Sequence, residues 1–112
     1  MAIPHASSGQ LIDVQPLGAR LSNEKTSALF KSEQLEVIRL VLPARDSFPP
    51  HRVAGEITIQ CIEGQIDVTV EGRSNPLRAG QMLFLSGGVQ HGVVAIEDSS
   101  ALVTIVLTRQ LS

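Results

Sequence analysis

Short runs that alternate between apolar and polar residues, each closed by a glycine or proline turn, constrain this chain more than any other feature. Ile66, Val68 and Val70 fall on one side of such a run, and Asp67, Thr69 and Glu71 on the other. A period of two describes a strand with one buried and one wet face. Ile57, Ile59 and Cys61 oppose Thr58, Gln60 and Ile62 in the same way. Leu35 to Leu42 is rich in β-branched and aliphatic residues and stops at Pro43. Leu102 to Leu107 is apolar on both faces, as expected of a strand covered on both sides or lying at a subunit contact. Turn signals stand at Glu63-Gly64, Glu71-Gly72, Asn75-Pro76, Ala79-Gly80, Ser86-Gly87-Gly88 and Asp98-Ser99-Ser100. Short strands spaced about 8–12 residues apart predict an all-β sandwich or barrel.

Helix has one weak candidate, Asn23 to Ser32, and within it Thr26 to Lys31 reads better as a short edge strand. A chain of 112 residues is expected to be one domain, 1–112, with residues 1–10 loose at its start. Cys61 is the only cysteine, so no internal disulfide forms, which suits a reducing compartment. The first residues lack a basic region followed by an apolar run, and nothing approaches the ~20 apolar residues that span a bilayer. A cytoplasmic protein with no membrane partner is expected. The net charge of −2, the lack of a Lys/Arg cluster and the absence of Trp and Tyr argue against nucleic acid as a partner.

Familiar catalytic motifs are missing. There is no phosphate-binding glycine loop and no Cys-x-x-Cys, and Phe84-Leu85-Ser86-Gly87-Gly88 lacks the first glycine of a nucleophile elbow. Asp67 and Glu71 share the wet face of one strand, which is the pattern of solubility rather than of an acid/base pair. What remains is a pair of glycine–histidine segments. The first runs Pro49-Pro50-His51-Arg52-Val53-Ala54-Gly55-Glu56 and continues through the Ile57 strand to Gly64. The second runs from Gly80 through Met82 and Phe84 to Ser86-Gly87-Gly88-Val89-Gln90-His91. Each sets a histidine beside a turn at one end of a strand-like run.

These two segments resemble the paired motifs of the cupin family, RmlC-like barrels, over roughly residues 35–108. The second motif matches through Gly80, Gly88 and His91, with Ser86 in a proline slot and Ala95 in place of an asparagine. The first keeps Gly64, but Pro49 stands where a first histidine belongs and Arg45 replaces the leading glycine. The resemblance implies a double-stranded β-helix, the jelly-roll cupin barrel, with the ligand inside and a homodimer as the common assembly.

Family metal sites, by the same resemblance, use three histidines and a glutamate. This chain offers at most His51, His91 and Glu56. Two imidazoles and a carboxylate suit one divalent transition metal, Fe, Mn, Ni or Zn, with positions open to substrate; the alternative is no metal. Glu56 fills the glutamate position counted forward from His51, whereas Ile57 fills it counted back from Gly64. A one-residue slip reverses the face of a strand side chain. Glu56 is therefore expected to face inward only if a bulge lies nearby, and Gly55 offers a place for one.

The expected pocket wall is Ile57, Ile59, Cys61, Met82 and Phe84, with Cys61 an inert core residue. Arg39 and Gln60 are polar residues on apolar strands and suit the cavity, the surface or a subunit contact. The leading expectation is a small-molecule binder with a degenerate metal site. The alternatives are a metal-dependent enzyme of dioxygenase or isomerase type, and a homodimeric binding or sensing module without catalysis.

Overall fold

The computed structural model describes residues 5–108. A 3-10 helix (Gly18–Asn23) precedes nine strands: β1 (Ser27–Lys31), β2 (Leu35–Leu42), β3 (Ser47–His51), β4 (Ile57–Glu63), β5 (Gln65–Val70), β6 (Arg73–Arg78), β7 (Met82–Leu85), β8 (His91–Ala95) and β9 (Ser99–Val106). They form two antiparallel sheets, ordered β1-β2-β9-β4-β7 and β3-β8-β5-β6. This is the all-β architecture expected from the alternation, in the jelly-roll form that the resemblance implies. Among the described residues no helix is long and apolar enough to cross a membrane.

The period-two pattern sorts side chains between the sheets and their outer faces. Ile57, Ile59 and Cys61 of β4 meet Ile66 and Val68 of β5 and Val93 and Ala95 of β8 in one core cluster. Ile59, Cys61, Ile66 and Val68 are essentially inaccessible. Fully burying an aliphatic side chain of this size contributes roughly 1.5–3 kcal/mol, so these positions dominate the fold's stability. β1 is an edge strand, where the Thr26–Lys31 segment was expected.

Two turn expectations are corrected. Asn75-Pro76 lies inside β6, with Pro76 opposite Asp67. β6 is an edge strand, and a missing N–H is tolerated there. The turn expected at Asp98-Ser99-Ser100 falls earlier, because Ser99 and Ser100 already pair with β2.

The bulge expected at Gly55 lies elsewhere. The β4–β9 ladder is regular from Ile57↔Ile105 to Cys61↔Ala101 and slips between Cys61 and Glu63, which pairs with Ser100. Gly55 serves close approach instead: a Cβ there would stand 1.7 Å from the Val106 carbonyl oxygen. The slip at Ile62 has a structural consequence. Cys61 faces the core, so strict alternation would send Glu63 inward as well. The extra residue turns Glu63 to the outer face, where its carboxylate accepts from the Ser100 hydroxyl and from the backbone N–H of Leu17 (2.8 Å) and Gly18 (3.0 Å).

Arg39, 8% exposed, is on the same outer face and donates through Nη2 to the carbonyls of Asp13 (3.4 Å) and Gln15 (3.0 Å). Arg39 and Glu63 thus hold the segment before the 3-10 helix against the five-stranded sheet. Partial burial opposes ionisation of Glu63, but its three donors and the Arg39 charge outweigh it and hold the carboxyl below the usual glutamate range.

Candidate functional site

The geometry of the site begins with two prolines. Phe48 of β3 pairs with Val93 of β8, and His51 pairs with His91. His51 lies three positions beyond Phe48, while Val93 lies two beyond His91. A straight strand would place Phe48 and His51 on opposite faces. The irregularity at Pro49-Pro50 absorbs the odd residue, so both side chains reach the same cavity. Neither proline can donate to the ladder, and β3 is an edge strand, which makes this the natural place for it.

The cavity has a volume of about 180 Å³. Ile38, Leu40, Ile57, Ile59, Val103 and Ile105 supply its wall from the five-stranded sheet. Phe48, His51, His91 and Val93 supply the opposite side. Thr26 completes the lining, but its hydroxyl accepts from Val41 N–H (2.8 Å) and donates to the Val41 carbonyl (3.3 Å). The two imidazoles are the remaining polar groups of an otherwise hydrocarbon surface.

The imidazole rings stand with centroids 4.6 Å apart and planes at 52°. His91 is buried at 2% exposure, whereas His51 sits at the open side. His91 Nδ1 lies 3.0 Å from the Val89 carbonyl oxygen, and His51 Nδ1 lies 3.3 Å from that of Pro49. A carbonyl oxygen can only accept, so each Nδ1 carries the proton and donates. In the neutral ring Nε2 is then an unprotonated acceptor. Among the described residues neither Nε2 has a protein partner.

The other candidates fall elsewhere. Glu56 is exposed and outside the lining, because it immediately precedes Ile57, which faces in. Among the described residues no three His, Cys, Asp or Glu side chains gather as a metal-ligand group. Met82 and Phe84 were expected in the pocket wall and are each 57% exposed. They pair with Gln60 and Thr58, the outward residues of β4, so parity places them on the outer face, while Leu83 and Leu85 face in.

Cys61 is fully buried in the adjoining core and not in the cavity lining, and burial pushes its thiol up, away from the reactive thiolate. Ile38, Leu40, Phe48, Val93, Val103 and Ile105 complete the wall without having been singled out. Four of them lie on β2 and β9, which are largely apolar at both parities, so alternation did not mark which residues face the cavity.

Comparison with known proteins agrees with this architecture. Residues 38–107 match the family model described as Cupin domain. An RmlC-like cupin protein from Desulfovibrio desulfuricans superposes with a TM-score of 0.73 at 25% identity, over 87% of this chain and 97% of that one. A conserved protein of unknown function from Streptococcus pyogenes gives 0.74 at 16% identity, over 98% and 97%. KdgF from Halomonas sp. gives 0.68 at 21% identity, over 76% and 79%. No curated protein matches the chain.

Proposed function

The chain belongs to the cupin domain family, and we propose that it acts as a small-molecule binder whose ligand occupies the cavity between the sheets, against His51 and His91. One observation carries this reading. The cavity wall is apolar except for two imidazoles, whose Nε2 atoms have no protein partner among the described residues. Pockets that orient a ligand combine an apolar wall with a few convergent polar groups.

The donor set does not fit a metal held by the protein alone. Two imidazole nitrogens stand together, but the carboxylate that could join them, Glu56, is on the outside. Binding of a small molecule is the role we assign to this largely apolar lining.

The test is ligand screening against the isotopically labelled protein. Signals of Val93, Val103 and Ile105 should move together, and bound ligand should raise Tm by mass action. Ligands that shift only outer-face residues would overturn the reading.

A second reading concerns assembly. Met82 and Phe84 lie on the outer face of β7 in rows that continue through Gln60 and Leu102, and through Thr58 and Thr104. The Arg39-held segment covers the β2 side of that same outer face and leaves this apolar end at β7 open. We propose that a second copy of the chain covers it.

A further inference from the structure

From the same cavity we infer the class of ligand it selects: a compact, neutral, benzene-sized molecule bearing a hydroxyl, in preference to the corresponding carboxylate. This rests on the small-molecule reading above and extends it. Size comes first. An apolar cavity of about 150 Å³ accommodates benzene. This cavity, at about 180 Å³, leaves room for one ring and one small substituent.

Polarity comes from the tautomers. Both Nδ1 positions donate to backbone carbonyls, so both available Nε2 atoms accept. The Thr26 hydroxyl spends its proton on Val41. Every side-chain polar atom left unpaired among the lining residues is therefore an acceptor. A hydroxyl brings the proton that such a wall lacks. A carboxylate brings only acceptors, and it must shed its hydration for a lining with no Arg or Lys. An unsubstituted hydrocarbon fits the wall but leaves the imidazole nitrogens unmatched.

The experiment uses phenol, benzoate and toluene as probes in mildly alkaline buffer, where an ordinary imidazole is neutral and phenol keeps its proton. Binding is followed by the methyl signals of Val93, Val103 and Ile105. Phenol is expected to bind at least about tenfold more tightly than either of the others, the effect of one good hydrogen bond. His51→Ala, a change at the open side of the pocket, should remove most of that advantage while toluene binding stays the same. Long-range nitrogen spectra of the unbound protein should show Nε2 unprotonated in both rings.

Benzoate binding at the histidine pair as tightly as phenol, or an Nε2-protonated ring, overturns the inference and leaves the pocket reading intact. Failure of all three probes to move the cavity signals overturns both.

Discussion

His51 and His91 are cross-strand partners, with ring centroids 4.6 Å apart, although one is exposed at a sheet edge and the other is 2% accessible. Their meeting depends on the irregularity at Pro49-Pro50, which absorbs one extra residue of β3. Unbroken alternation from Phe48 through His51 would turn one of those two side chains away from the cavity.

Deleting Pro50 is the direct test of that dependence. Removing the odd residue leaves His51 two positions beyond Phe48, so a straightened β3 should keep both side chains on the cavity face and His51 opposite His91. Phenol affinity should therefore be retained. Contacts between the two imidazole rings should persist in proton NMR spectra, and their loss would show that the pairing does not follow this register.

Replacing Met82 and Phe84 together by lysine tests the assembly reading. Light scattering should show a dimer for the parent chain and a monomer for the double variant. Both side chains are 57% exposed within one copy, so monomer stability should change by no more than about 0.5 kcal/mol per site. A parent chain that is monomeric at micromolar concentration would remove the second copy from the outer face.

Glu63 makes part of the stability pH-dependent. Its folded-state value lies below the ordinary glutamate value, so the unfolded chain binds its proton first as pH falls. The contribution is complete above the ordinary value of about 4.3 and is lost as pH drops through the lower folded value. Glu63→Gln should flatten that part of the acid limb in denaturant titrations. It should also raise hydrogen exchange at Leu17 and Gly18, whose N–H groups the carboxylate accepts.

Metal content is the remaining prediction. Protein purified without an affinity tag should carry less than about a tenth of an equivalent of Fe, Mn, Ni or Zn, since two imidazoles alone hold such ions weakly. Elemental analysis after incubation with each ion checks this. Stoichiometric uptake that His51→Ala abolishes would show that the imidazole pair recruits further donors.

Much of the fold was legible in local alternation. β2 spans Leu35–Leu42, the segment expected, and the inward residues of β4 and β5 follow directly from the period of two. His91 was legible as well, because the glycine turn before it and its place at the head of a strand are local features. Met82 and Phe84 were not. Both parities of β7 are apolar, so its sequence does not say which face is inward, and pairing with Thr58 and Gln60 decided it. The same holds for Glu63, whose direction follows from the slip at Ile62.

The sequence by itself determined that this chain is an all-β sandwich or barrel, which residues of the alternating strands form its core, and that two histidines lie beside turns. Only the tertiary structure decided that His51 joins His91 while Glu56 does not. The physical reason is that alternation is written within each strand, whereas register is settled between strands. A single inserted residue, at Pro49-Pro50 or at Ile62, reverses every face beyond it, and non-local pairing chooses where that residue is absorbed.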